Sequence, residues 1–273
     1  MLICDDFNIL NFPKTGSTFV RDVIKEIYEA RYKKNSLLKI AQRLKIIEPP
    51  FTELLLPNFQ SPNRNTRHGK GQHGAYCQIP ERYIDKKIVA VIRNPYEIFL
   101  STYKMGWWQK FYPLKKEELF KRFPEFPNLS INEYIELLKS STENKTELHL
   151  GSHTVQFIRI FFKNPENVLM NISENYITSE DLYKNDMPEN ITFLRQENLN
   201  EELANYLSSY NFTPYEIEFV RSHKKVNESE NKSIDNNTIW TREALLYVAE
   251  YERFLFKIFK DLGADYPNPK ISF

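Results

Sequence analysis

The amino-acid sequence predicts an α/β protein, a single domain in which a central parallel β-sheet is flanked by helices. Two observations carry this prediction: an apolar strand that passes into a helix over residues 7–31, and a second such transition over 87–103. A chain of 273 residues, 41% apolar and 14% aromatic, is long enough to bury one core of this kind. We therefore expect one domain over residues 1–273.

The first transition has an expected strand over 7–12 and an expected helix from Ser17 to about Arg31. Between them the chain reads Pro13, Lys14, Thr15, Gly16, Ser17, Thr18 and Phe19. Backbone amides of a tight turn and of a helix N-terminus attract an anion, and Lys14 can neutralise a transferring group. The alternative is an ordinary turn capped by Ser17 or Thr18.

The second transition begins with a continuous apolar run over 87–92, which is typical of a central strand buried on both faces. Arg93 follows it, and Pro95 suits the first turn of a helix. Ligands of open parallel sheets bind beyond the carboxyl ends of the strands, so Lys14 and Arg93 are expected to face one pocket. Arg93 offers a planar fork for a phosphate, to which Ser101 can add a hydroxyl; a structural salt bridge is the alternative for Arg93.

The remaining segments complete the expected layout. A loop is predicted over 48–67, an aromatic and proline-rich excursion around 105–128, and a further loop over 226–238. Helices are predicted over 131–140, 152–162 and 241–261, and short strands over 168–170 and 191–194.

Composition excludes several classes of protein. Cys4 and Cys77 are the only cysteines, so neither a disulfide framework nor a metal-ligand cluster is expected, and no metal is predicted. A net charge of +1 argues against a nucleic-acid surface. No apolar run approaches the roughly 18 residues of a membrane span, and no signal peptide is recognisable. The expectation is a cytoplasmic protein without a membrane partner.

Three motifs together resemble the sulfotransferases that use 3′-phosphoadenosine 5′-phosphosulfate (PAPS). The run from Pro13 to Phe19 resembles their 5′-phosphosulfate loop, and Arg93 with Ser101 resembles their 3′-phosphate motif. Between these, His73 with Pro80 seven residues later is similar to the segment that carries their histidine base. The resemblance implies a P-loop-like sulfotransferase fold, with the specific motifs before residue 104.

The resemblance also implies a reaction. His73 would act as general base on an acceptor hydroxyl, and Lys14 with the amides of 16–19 would stabilise the leaving 3′,5′-bisphosphate (PAP) in a direct in-line transfer. The implied cofactor-binding residues are Lys14, Thr15, Gly16, Ser17, Thr18, Phe19, Arg93, Ser101 and Lys232. Phe19 stands where the family has an adenine-stacking tryptophan. Lys232 and Ser233 are the candidates to replace a late glycine-containing loop that this chain lacks.

The other histidines supply alternatives. His68 is the second candidate for the base, although the proline spacing favours His73, and a loop histidine without a role is the third possibility. His149 and His153 are expected at the surface or an interface, and His223 in a solvated basic run.

The aromatic residues Trp107, Trp108, Phe111 and Tyr112 belong either to the core or to the wall of an acceptor pocket. The expected acceptor is a small phenol or a carbohydrate hydroxyl, and the oligomeric state is left open. Two other classes compete with the transferase: a P-loop nucleotide kinase, and a non-catalytic nucleotide-binding module. The kinase motif requires a lysine after its last loop glycine, whereas Lys14 precedes Gly16.

Overall fold

The computed structural model describes residues 1–34, 44, 49, 51–56, 71–109, 112, 114–140, 148–224 and 239–269. The strands in these ranges are β1 (Leu2–Cys4), β2 (Phe7–Ile9), β3 (Phe51–Glu53), β4 (Lys87–Ile92) and β5 (Ile191–Arg195). The helices are α1 (Ser17–Lys34), α2 (Pro95–Met105), α3 (Lys116–Arg122), α4 (Ile131–Ser140), α5 (Ser152–Phe161), α6 (Pro165–Asn171), α7 (Glu174–Thr178), α8 (Leu182–Asp186), α9 (Leu199–Ser208), α10 (Pro214–Ser222), α11 (Arg242–Tyr251) and α12 (Arg253–Asp261). The predicted α/β class is confirmed.

The five described strands form one sheet in the order β3, β1, β2, β4, β5. β2, β4 and β5 are parallel, with Ile9 opposite Val89 and Ala90 opposite Phe193. β1 runs antiparallel to both β2 and β3. The parallel strands next to the predicted motifs are therefore confirmed, while the sheet as a whole is mixed.

Three points of the strand prediction need correction. The segment 48–67 was expected to be a loop, but it contains β3, and β1 was not foreseen, because strands of three residues are too short to show alternation. The strand expected over 168–170 is wrong, since these residues lie in α6. Pro165 occupies the first turn of that helix, and a short apolar run fits either periodicity.

By internal contacts the chain divides into two compact units. The first consists of Met1–Arg93, Ile160–Lys163 and Met187–Glu228, and it holds the whole sheet. On one face of β4, Val89 and Val91 pack in an apolar cluster with side chains of α1, α9 and α10. On the other face Ala90 pairs with Phe193, whose ring centroid lies 5.1 Å from that of Phe161. β4 is therefore buried on both faces, as its apolar run predicts.

The second unit consists of Asn94–Arg159, Asn164–Asp186 and Ser229–Phe273. The Trp108 ring lies in its core, 4.5 Å from the Tyr134 ring, and its Nε1 donates to the Pro127 carbonyl at 3.0 Å. The Trp107 Nε1 donates to the Tyr134 hydroxyl at 3.2 Å. Of the two alternatives for these tryptophans, the contacts therefore favour the core.

The single helix expected over 241–261 is two helices, α11 and α12, which meet at Glu252. The Glu252 carboxylate is 1% exposed and accepts hydrogen bonds from the backbone N–H groups of His153 and Thr154, at 3.1 and 2.7 Å. It also lies 3.1 Å from His153 Nδ1, and the Thr102 hydroxyl lies 3.0 Å from Nε2 of the same ring. His153 is 3% exposed and is buried within its own chain, so the expectation that it lies at the surface or an interface is wrong.

Candidate functional site

The loop between β2 and α1 is tied together by its own hydroxyl groups. The hydroxyls of Thr15 and Ser17 both donate to the Phe12 carbonyl, at 2.9 and 3.0 Å, and both residues are buried. The Phe19 N–H donates to the Gly16 carbonyl at 2.9 Å. Thr15 and Ser17 thus hold the loop with their side chains. The backbone N–H groups of Ser17 and Thr18, at the start of α1, have no acceptor within the helix and can donate to a ligand.

The same loop contains two residues in the left-handed region, Lys14 at φ 65° and Gly16 at φ 90°. A Cβ atom on Gly16 would lie 3.2 Å from Leu199 Cδ2 and 3.3 Å from Gln196 Cγ. Glycine is therefore favoured here by conformation, and a Cβ would have to displace the Leu199 and Gln196 side chains slightly. Left-handed residues in a turn make neighbouring N–H groups converge, which is the geometry of an anion-binding nest.

Arg93 lies against this loop, as the parallel order of β2 and β4 predicts. Its Nη1 donates to the Lys14 carbonyl at 3.1 Å. Burial lowers the pKa of Lys14, and the Arg93 guanidinium nearby lowers it further. Two cationic side chains are thus concentrated at the carboxyl edge of the sheet, a placement that favours an anion.

His73 is hydrogen-bonded to Asn11, near the start of the same loop. Its Nδ1 lies 3.0 Å from the Asn11 carbonyl, and because a carbonyl only accepts, Nδ1 carries the proton of this bond. In the neutral imidazole the lone pair is then on Nε2. Burial lowers the pKa of His73, the bond to Asn11 opposes this change, and the Met1 amino group and Arg21 add smaller lowering effects. The neutral, proton-accepting form is therefore favoured at neutral pH.

The remaining predicted site residues have various locations. Phe19 is 4% exposed in the apolar core, with its ring centroid 5.7 Å from that of His223 in an edge arrangement. Thr18 is half-buried in the first turn of α1, and Ser101 is half-buried in α2 of the second unit. Lys232 and the alternative base His68 lie outside the described residues. Stacking by Phe19 and binding by Ser101 and Lys232 stay predictions.

Asn11 is a site residue that the sequence reasoning missed. It is 1% exposed, and its side chain donates to the Gln72 carbonyl at 3.0 Å. A single asparagine at the end of a strand carries no periodic or motif signal, because its importance comes from a residue 62 positions along the chain.

These observations define an α/β protein with a lysine- and glycine-containing loop between a central strand and a helix, the architecture of phosphate-loop proteins. The family model described as "Sulfotransferase domain" matches residues 4–211, which is well over half of the chain. The protein therefore belongs to the sulfotransferase family, whose members transfer sulfuryl groups to acceptor hydroxyls and generally use PAPS as donor.

No curated protein and no solved structure matches the chain. Among the described residues no helix is long and apolar enough to cross a membrane. The same part of the chain holds no group of three or more His, Cys, Asp or Glu residues that could bind a metal ion.

Proposed function

We propose that this protein moves the sulfuryl group of PAPS to a hydroxyl of a small phenol or a carbohydrate, leaving PAP. The observation that carries the proposal is the convergence of two groups on one loop. The Arg93 guanidinium is bonded to the carbonyl of Lys14, and the His73 imidazole is bonded to the carbonyl of Asn11. Both an anion-binding cation and a base are thus attached to the loop that resembles the 5′-phosphosulfate loop.

The residues present fit a donor with two phosphate-like ends. Gly16 allows the left-handed turn of the loop, and the N–H groups of Ser17 and Thr18 belong to a first helical turn, where no intrahelical acceptor exists. Lys14 is assigned to the 5′ end and Arg93 to the 3′-phosphate, with Ser101 and Lys232 as further 3′ ligands. When bound, PAPS supplies an activated sulfuryl group.

His73 and Lys14 have the catalytic roles in this proposal. Nε2 of His73 takes the proton of the acceptor hydroxyl while that oxygen attacks sulfur and the bond from sulfur to the phosphate oxygen breaks. The negative charge that develops on the phosphate oxygen is stabilised by the Lys14 ammonium and the loop amides. The lowered pKa of His73 supports this assignment, because a base must be unprotonated at working pH.

The test replaces His73 with asparagine. Asparagine keeps a donor near the Nδ1 position and so preserves the bond to the Asn11 carbonyl, whereas the proton acceptor Nε2 is lost. Transfer from radiolabelled PAPS should fall about 100- to 10,000-fold, as is usual for a lost acid or base group. The affinity for PAP, measured by calorimetry, should stay within about twofold, since His73 makes no proposed contact with the bisphosphate.

His149→Asn is the matched control. His149 is exposed in the second unit at φ 50°, a conformation that asparagine adopts readily, so this variant should keep full activity. Unchanged turnover in His73→Asn would remove His73 from its role. Tight, magnesium-dependent binding of ATP would indicate that the natural ligand is a nucleoside triphosphate rather than PAPS, and it would favour the kinase alternative. A panel of phenols and sugars as acceptors separates the two acceptor classes.

A further inference from the structure

We propose that Asn11 is the positioning residue for His73, a role that rests on the proposed function of His73 as base. Asn11 bonds to two consecutive residues at once. Its backbone carbonyl accepts from His73 Nδ1 at 3.0 Å, and its side-chain Nδ2 donates to the Gln72 carbonyl at 3.0 Å. Two bonds from one residue to neighbouring positions close a small ring of contacts, which limits rotation of the imidazole.

The side-chain bond of Asn11 is what keeps the imidazole within reach of the carbonyl. The ring of His73 can bond to the Asn11 backbone only while residues 72 and 73 stay beside the loop. The Gln72 carbonyl also accepts from the Met1 amino group at 2.6 Å, so two donors hold it. Asn11 contributes the donor that comes from the loop itself, because it lies three residues before Lys14.

The chemistry of the Asn11 side chain supports a role for its amide nitrogen. Its Oδ1 is buried and has no hydrogen-bond partner among the described residues. Burying an oxygen in this way is unfavourable, and a leucine of similar size would avoid the penalty. The Asn11 side chain therefore carries a desolvation penalty that leucine would not have. The favourable contact that offsets this penalty is the bond from its Nδ2 to the Gln72 carbonyl.

Asn8, in β2 three residues before Asn11, is a matched control. It is 0% exposed, its Nδ2 donates to the Tyr83 carbonyl at 2.8 Å, and its Oδ1 likewise has no partner among the described residues. It has the same chemistry and burial as Asn11, but its bond holds Tyr83 rather than the base. A purely structural effect should therefore be the same at both positions.

The experiment records nitrogen NMR spectra of protein whose histidine rings are isotopically labelled. The signals of His73 are assigned by their loss in His73→Asn. The variants are Asn11→Leu and Asn8→Leu, which keep the volume, together with Asn11→Ala and Asn8→Ala. In the unchanged protein His73 should be the Nδ1–H tautomer. In both Asn11 variants the two tautomers should mix, and the His73 pKa should fall further, because the bond to the Asn11 carbonyl raises it and is weakened in these variants.

The charged groups that face His73, the Met1 amino group and Arg21, are the same in all these variants. The kcat of the Asn11 variants should fall about tenfold, the loss expected for one buried hydrogen bond, with KM for the donor unchanged. The Asn8 variants should keep the spectrum, the pKa and kcat.

The proposal is overturned if Asn11→Leu leaves the His73 tautomer and pKa unaltered, or if Asn8→Leu changes them equally. The spectra do not depend on turnover. If the unchanged protein transfers no sulfuryl group, the proposed function fails, while the spectra still decide whether Asn11 orients His73.

Discussion

Replacement of Gly16 by alanine tests whether the conformation of the loop holds the anion. At φ 90° a residue with a Cβ pays about 1–2 kcal/mol. The new Cβ would also lie 3.2 Å from Leu199 Cδ2 and 3.3 Å from Gln196 Cγ, and relieving this overpacking adds about 1 kcal/mol. We therefore expect Gly16→Ala to lower the free energy of unfolding by about 2–3 kcal/mol.

Gly263 separates these two contributions. It has φ 83°, yet among the described residues other than its chain neighbours no atom lies within 4 Å of the position of its added Cβ. Gly263→Ala should therefore show only the conformational cost, about 1–2 kcal/mol. Urea denaturation of the two variants and the unchanged protein gives the difference, which isolates the contacts with Leu199 and Gln196.

Binding supplies the functional readout for the same pair of variants. A shifted loop misdirects the amides of the first helical turn, so the affinity of Gly16→Ala for PAP should fall by about tenfold or more, the loss expected for one hydrogen bond to a charged group. Gly263→Ala should bind PAP normally. Equal unfolding costs together with unimpaired binding by Gly16→Ala would refute the reasoning.

Two further predictions concern pH. The acid limb of kcat/KM should have its midpoint below 6.5, because burial lowers the pKa of His73, and the limb should be absent from the residual activity of His73→Asn; a midpoint above 6.5 would contradict this. Arg31 Nε lies 2.6 Å from Glu216 Oε1 and holds the pKa of Glu216 at about 2, so the stabilisation by this pair is complete above pH 4.5 and is lost as pH falls through about 2. Glu216→Gln should therefore lower the free energy of unfolding by about 1–2 kcal/mol at pH 6, discounted for partial exposure, and urea titrations should show the difference shrinking towards pH 2.

The predictable part of the site consists of residues that follow strands of the sheet. The apolar run of β4 and the turn before α1 placed Lys14 and Arg93 at the carboxyl edge, and the bond from Arg93 to the Lys14 carbonyl confirms their closeness. Local sequence patterns are enough to predict this placement, because neighbouring parallel strands have their carboxyl ends at the same edge of the sheet.

Other features could not be predicted because they depend on partners far away in the chain. Glu252 divides the tail helix, since its buried carboxylate bonds to N–H groups at the start of α5. The hydroxyls of Thr15 and Ser17, two residues predicted to bind the cofactor, donate to the Phe12 carbonyl. Their binding of cofactor through backbone N–H groups stays a prediction.

The sequence by itself determined the α/β class, the strand-to-helix turns and the family, because apolar periodicity and motif spacing are properties of consecutive residues. Only the tertiary structure decided the antiparallel part of the sheet, the burial of His153, and the tautomer of His73. The reason is physical: pairing, burial and the direction of a hydrogen bond are set by groups that meet only after folding. Asn11, between the loop and the base, is the clearest example.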